Sequence, residues 1–324
     1  MEKKIYGGVV FSLEIVTMAK EKEKPKDIPG YMKFIIGGGA GMTGTLFVQP
    51  LDLVKNRMQL SGVGTAKKEY TSSFDAISKI FRTEGPLAFY NGLSAGLLRQ
   101  ATYSSTRLGV YTWLFSYMSS PDGTPPTFLK KTLMGCLAGL CGAFVGTPAE
   151  VALIRMTADG KLPPEERRNY ANVFSALGRI TREEGILTLW RGVMPTMGRA
   201  VVVNAVQLAT YSQAKEMFMK TGYFNEGIFL HFCSSMLSGF FTTIASLPLD
   251  IAKTRIQNMK MHEGKPEYRG TFDVIYKLTK NEGIFALWKG FTPYFARIGP
   301  HTVLTFIFLE QYTNLYKKYF MKEN

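Results

Sequence analysis

Three arginines stand at matched places in this chain. Arg99, Arg199 and Arg297 each follow a glycine by seven residues, in the settings Tyr90-Asn91-Gly92, Trp190-Arg191-Gly192 and Trp288-Lys289-Gly290. A guanidinium holds a carboxylate through two parallel hydrogen bonds, so a set of matched arginines suits an anion with more than one acidic group. Arg99, Tyr103 and Arg107 fall at i, i+4 and i+8 and share one helix face over about 12 Å. Tyr103 reads there as a hydrogen-bond donor to the same anion. In a bilayer, an arginine at a helix centre costs about 2.5–3.5 kcal/mol on insertion scales. Three of them, each roughly 10 Å into its helix, call for a ligand more than for snorkelling to head groups.

A second constellation surrounds three prolines. Pro50-Leu51-Asp52-Leu53-Val54-Lys55-Asn56-Arg57-Met58-Gln59 returns as Pro148-Ala149-Glu150-Val151-Ala152-Leu153-Ile154-Arg155 and as Pro248-Leu249-Asp250-Ile251-Ala252-Lys253-Thr254-Arg255-Ile256-Gln257. The prolines are 98 and 100 residues apart. Each is followed two residues on by an acid, and in the first and third copies five residues on by a base. Acid and base three apart are able to pair along one helix. Charges this close to a membrane interior also face a watery cavity and pair across helices, which makes a ring of ion pairs.

The elements that carry these residues repeat as well. Downstream of each proline come Tyr70, Tyr170 and Tyr268, each 14 residues before Glu84-Gly85, Glu184-Gly185 and Glu282-Gly283, with Phe74, Phe174 and Phe272 between. Five landmarks in fixed order make three copies of one unit. Each copy reads as a long helix, a short amphipathic helix and a second long helix. Long helices are predicted at 31–59, 91–119, 127–157, 191–220, 226–257 and 289–318, and short ones near 72–83, 171–182 and 271–280. The prolines kink the odd-numbered long helices. Gly37 and Gly41, Gly135 and Gly139, Ser235 and Gly239 are spaced four apart, the small-residue pattern that lets helices approach in a bilayer.

Composition narrows the class. Apolar stretches from Phe34 to Val54, Thr132 to Met156, Phe229 to Ala252 and Thr302 to Leu309 are long or numerous enough to suggest spans, each interrupted by charge, proline or glycine. The mean hydropathy is only −0.01, as expected of helices that face lipid on one side and something polar on the other. The net charge of +14 points to anionic lipid or an anionic substrate, because no Lys/Arg run interleaved with aromatics suggests nucleic acid. Cys136, Cys141 and Cys233 are too few and irregular for a disulfide framework, and His231, His262 and His301 have no ligand spacing, so no metal is expected. No nucleophile with a base is apparent, so the chain does not read as an enzyme. Residues 1–30 are expected to be a mobile extension, and Met18 is an alternative start.

The thrice-repeated Pro-x-acid-x-x-base-x-base motif, followed by Glu-Gly and an aromatic-x-Gly stop, resembles the mitochondrial carrier family over residues 31 to 318. The resemblance implies an all-α membrane protein of three pseudo-symmetric repeats, at 31–120, 121–220 and 221–324. Six kinked transmembrane helices would surround a central cavity, with three short surface helices on the matrix side. It also implies a multi-pass inner-membrane transporter, monomeric, with both termini toward the intermembrane space and with cardiolipin as a bound lipid near Trp190-Arg191 and Trp288-Lys289.

Carried over residue by residue, the resemblance makes Asp52, Lys55, Glu150, Lys253 and Asp250 a matrix gate. Lys55 would pair with Asp250, and Lys253 with Glu150. Gln59 and Gln257 would brace the pairs, with Thr157 at the third brace position. Asp52 should meet a base where the chain has Leu153, so this gate is expected to hold two pairs and to open more readily. The opposite gate reads Tyr111-Thr112 to Phe115, Tyr211-Ser212 to Lys215 and Leu309-Glu310 to Thr313, in which only Lys215 and Glu310 form a pair. Arg99, Tyr103, Arg107, Arg199 and Arg297 would bind substrate. The strings Phe47 to Gly62 and Thr147 to Met156 resemble family members that exchange dicarboxylates, implying electroneutral exchange of 2-oxoglutarate for malate. Dicarboxylate/phosphate exchange and an uncoupling-type leak share much of this pattern. A membrane-embedded enzyme and a non-transporting adaptor are the readings outside it.

Overall fold

The computed structural model describes residues 30–61, 70–118, 127–160, 162, 165, 167–222, 227–259, 261–262 and 265–320. The expected N-terminal extension, and with it Met18, lies outside them. In chain order the helices are α1 (Gly30–Gln59), α2 (Ser73–Glu84), α3 (Leu93–Met118), α4 (Phe128–Asp159), α5 (Val173–Glu184), α6 (Val193–Lys220), α7 (Ile228–Asn258), α8 (Thr271–Glu282) and α9 (Phe291–Phe320). A two-residue antiparallel ladder, Met261–His262 with Lys265–Pro266, is the one departure from helix beyond turns among the described residues.

The six long helices form a closed ring in the order α1, α3, α4, α6, α7, α9 and back to α1. Their tightest contacts join α3 to α4, α6 to α7 and α9 to α1, so each repeat grips the next more closely than it grips itself. Gly142 and Gly146 on α4 make this possible at one seam, since a Cβ there would stand 3.0 and 3.2 Å from Tyr103 of α3. Gly41, Gly139 and Gly239 instead lie against the second long helix of their own repeat, at Gln100, Asn204 and Ile298. Gly37 has nothing near it, so its place in the spaced-glycine pattern is not a packing contact.

Each short helix begins and ends for local reasons. Ser72 and Asn172 accept from the amides of Asp75 and Ser175 at 3.2 and 2.9 Å, satisfying donors that a first turn leaves free. Gly85, Gly185 and Gly283 end them at φ of 82°, 87° and 87° with ψ near 160–175°, a region open only to glycine. A 3-10 turn follows, at Pro86–Tyr90, Ile186–Trp190 and Ile284–Trp288. Gly92, Gly192 and Gly290 then take φ of 83°, 80° and 83°. This explains why α3, α6 and α9 begin two residues later than predicted. Packing follows the repeat: Leu53 and Val54 bury against Ala76, Ile80 and Ala88, and Ile251 against Leu278, Ala286 and Leu287.

Prolines lie inside α1, α4 and α7 as predicted, at Pro50, Pro148 and Pro248, and Pro300 lies inside α9 as well. A helical proline deprives the carbonyl four residues earlier of its donor. For Pro148 and Pro248 these carbonyls are Phe144 and Ile244. The indoles of Trp190 and Trp288 donate to them at 3.2 and 3.0 Å. Large apolar side chains also stand outward along the long helices, among them Phe47, Trp113, Leu129, Leu137, Phe144 and Phe229.

Candidate functional site

Beyond the three helical prolines the charged residues of the proline motifs meet inside the ring. Lys55 of α1 pairs with Asp250 of α7, and Lys253 Nζ lies 2.9 Å from Glu150 Oε1 of α4. Both cross-helix pairs read from the sequence are formed. Lys253 also lies 3.2 Å from Asp250 Oδ1 three residues earlier, so the pairing along one helix and the pairing across helices coexist. Gln59 donates to Asp250 Oδ2 at 3.0 Å and accepts from Thr254 at 2.7 Å. Gln257 reaches Glu150 Oε2 at 3.4 Å. Thr157 turns its hydroxyl back to the Ile154 carbonyl at 2.9 Å and braces no pair.

The third corner corrects the sequence reading. Asp52 faces no base on α4, where Leu153 is buried against Gly92, Gly96 and Ala95. Its partner is Arg297 of α9, with Nη1 3.1 Å from Asp52 Oδ2. The acid thus draws in one of the predicted substrate arginines, because a buried carboxylate without a cation is costly. Arg199 is held in the same way, with Nε 2.7 Å from Asp250 Oδ1. That contact is close but off the N–H axis, for neither atom completes a hydrogen bond. Asp250, fully buried, therefore faces Lys55, Arg199 and Lys253.

Arg99 lies in the corner that Leu153 leaves uncharged. It forms no ion pair among the described residues, its Nε is buried without a partner, and Asp52 and Glu150 are both within its electrostatic reach. Arg99, Arg199 and Arg297 thus gather at the level of the three acids, as their matched spacing predicted. Higher on α3, the Arg107 guanidinium lies 5.7 Å from the Tyr103 ring centroid, and Tyr103 packs against Gly142 and Gly146. These two residues line the α3–α4 seam. Lys215 and Glu310 sit near the far ends of α6 and α9, and among the described ion pairs none joins them.

Two features escaped the sequence reading. Tyr294, buried on α9, accepts from Arg199 Nη2 at 2.9 Å, and its ring faces Lys55. It carried no repeat signal, since the matching positions are Gly96 and Thr196. The other feature was legible: a base seven residues after each proline. Arg57 grips Glu84 with two bonds of 2.8 and 3.0 Å, Arg155 grips Glu184, and Arg255 Nη2 meets Glu282 at 2.7 Å. Each also donates to the end of the neighbouring repeat's odd helix. Arg57 reaches the Thr157 carbonyl, Arg155 the Gln257 carbonyl at 3.3 Å and Arg255 the Gln59 carbonyl at 3.4 Å. Burial alone would raise the Glu184 and Glu282 carboxyls. Arg155 and Arg168 beside the first, and Lys289 and Arg255 beside the second, hold both below the ordinary glutamate value.

The family model described as mitochondrial carrier protein matches residues 26–121, 124–222 and 225–320. The chain is 64% identical over 298 residues to a human mitochondrial 2-oxoglutarate/malate carrier protein, covering 92% of this chain and 95% of that one. It is 62% identical over 297 residues to the protein of the same name from Caenorhabditis elegans, covering 92% and 96%. A mitochondrial dicarboxylate/tricarboxylate transporter from Arabidopsis thaliana is 43% identical over 304 residues, covering 93% and 99%.

Proposed function

Because this chain belongs to the mitochondrial carrier protein family, we propose that it is an inner-membrane antiporter exchanging 2-oxoglutarate for malate. The observation that carries the substrate class is the charge inside the ring. Lys55, Arg99, Arg199, Lys253 and Arg297 stand among Asp52, Glu150 and Asp250, leaving an excess of two positive charges at that level. A dicarboxylate dianion neutralises it, and guanidiniums suit its two ends. The relatives named 2-oxoglutarate/malate carriers narrow the class to these two acids.

The ring then works as follows. The long helices span the membrane, supported by the outward apolar side chains and by the apolar length of α4 and α7. With Lys55–Asp250 and Lys253–Glu150 formed, the matrix end is shut. With no ion pair joining Lys215 to Glu310 among the described residues, the cytosolic end is open, and both termini face the intermembrane space. A dianion arriving from that side competes with Asp52 for Arg297 and with Asp250 for Arg199. Acids that lose a cation in a buried site weaken the closure, since leaving one partner uncompensated costs about 3–5 kcal/mol. The substrate shifts the balance between the two ends by this difference. Cardiolipin head groups bind where Trp190-Arg191-Gly192 and Trp288-Lys289-Gly290 open α6 and α9, and the carrier acts as a monomer.

The test is exchange by the purified full chain in cardiolipin-containing vesicles. Internal 2-oxoglutarate should drive uptake of labelled malate, and internal phosphate should not. Equal uptake against phosphate would instead make the chain a dicarboxylate/phosphate exchanger.

A further inference from the structure

The position four residues after each aromatic-x-Gly glycine meets one corner of the charged ring. On α3 it is Gly96, where a Cβ would stand 3.1 Å from Gln49 of α1 and 3.9 Å from Leu153 of α4. On α6 it is Thr196, whose hydroxyl lies 3.3 Å from Glu150 Oε2 and 3.4 Å from Gln257 Nε2. On α9 it is Tyr294, at the corner shared by Lys55 of α1 and Asp250 of α7. The side chain follows what the corner contains. Glycine stands where Leu153 leaves no pair between odd helices, and a hydroxyl stands at each corner that has one.

Tyr294 does more than fill its corner. Its ring lies 4.6 Å from Lys55 Nζ, 5.5 Å from Arg297 Cζ and 5.9 Å from Arg199 Cζ, measured to the centroid. Its oxygen accepts from Arg199. One buried phenol therefore touches the cation of a closing pair and two of the arginines that face the substrate. Cations over an aromatic face are held by its quadrupole, more strongly when water is excluded.

We propose that Tyr294 is a positioning residue that couples substrate binding to the Lys55–Asp250 closure. With no substrate bound, its oxygen keeps Arg199 beside Asp250 and its ring steadies Lys55. A dianion that draws Arg199 and Arg297 toward itself removes their contacts with the phenol and frees Lys55 to leave Asp250. The proposal rests on the reading of the chain as a dicarboxylate antiporter.

The experiment compares Tyr294→Phe and Tyr294→Leu with the unaltered protein in vesicles, measuring malate KM and kcat in exchange and, separately, efflux of internal 2-oxoglutarate into substrate-free buffer. Tyr294→Phe keeps the ring and removes the acceptor that competes for Arg199. Its KM should fall about threefold or more while efflux stays low. Tyr294→Leu removes the cation-binding face, and its uncoupled efflux should rise about fivefold or more. A merely structural role would lower kcat and thermal stability together and leave KM and efflux alone. An unchanged or raised KM in Tyr294→Phe overturns the proposal, as does tight coupling in Tyr294→Leu. If the leucine variant does not fold, the KM of the phenylalanine variant decides. Absence of exchange by the unaltered protein would instead overturn the underlying reading.

Discussion

The indole N–H of Trp190 donates to the carbonyl of Phe144, the group that Pro148 strips of its helical donor. Trp288 serves Ile244 and Pro248 in the same way. A kink normally leaves a carbonyl to water, and beside lipid there is none. The tryptophans of the second and third aromatic-x-Gly stops thus supply the donor that each neighbouring proline removes. In the first repeat Tyr90 takes the place of the indole, and among the described residues no such bond reaches Leu46, the carbonyl freed by Pro50.

Trp190→Phe should therefore strand the Phe144 carbonyl at a cost of about 1–3 kcal/mol. Thermal unfolding in detergent should move down by about 2–4 °C per kcal/mol. Tyr90→Phe, which removes no such bond, should leave the midpoint within about a degree.

Arg297 pairs with Asp52 and is also assigned to the substrate in the proposed antiporter, so its loss should have two separable effects. Arg297→Ala leaves Asp52 without its cation and should lower both the unfolding midpoint and exchange, the latter by at least about tenfold. Adding Asp52→Asn should restore most of the midpoint and none of the exchange. A double variant as unstable as Arg297→Ala would mean that the pair is not what holds Asp52.

Leu153→Lys places a base at the α4 position where Asp52 meets none. Leu153 packs against Gly92 and Gly96, and the new ammonium should take Asp52 from Arg297. The matrix end would then be held by a pair between odd helices at all three corners. We expect kcat to fall about threefold or more while the unfolding midpoint rises. Faster exchange in this variant would contradict the assignment of the corner to closure.

Glu184 is held below its ordinary pKa of 4.5, so it binds fewer protons folded than unfolded near that pH. Its stabilising contribution is complete above about pH 5 and is lost as pH falls below the unfolded value toward the folded one. The unfolding midpoint should drop over that acid range, and Glu184→Gln should flatten part of the drop. Parallel curves for the two proteins would deny the clamp a role in stability.

How much of this was legible depended on whether a residue repeats. Asp250, Lys55, Glu150 and Lys253 recur at fixed distances from a proline, which pointed to a ring of charges, and which acid meets which base was implied by the family resemblance. The arginines recur at fixed distances from a glycine, and they do converge. Sequence spacing could not reveal that Asp52 recruits Arg297, because the contact joins α1 to α9, whose relative rotation is set by packing at Gly39 and Gly44 against Tyr312, Thr305 and His301. Tyr294 was hidden for the opposite reason. Its counterparts are a glycine and a threonine, and asymmetry within a repeat cannot be distinguished from drift without the neighbours in space. The helix boundaries slipped where positive-φ glycines delayed the first turn.

The guanidiniums of Arg57, Arg155 and Arg255 reach, in turn, the last carbonyls of the second, third and first odd helices. This is a head-to-tail loop with a single sense of rotation, and it has no free end. One strut cannot tilt without dragging the terminus it grips, and that terminus drags the next. The lower rim is accordingly built like a camera iris, in which displacing one leaf alone breaks the contact it makes with the next.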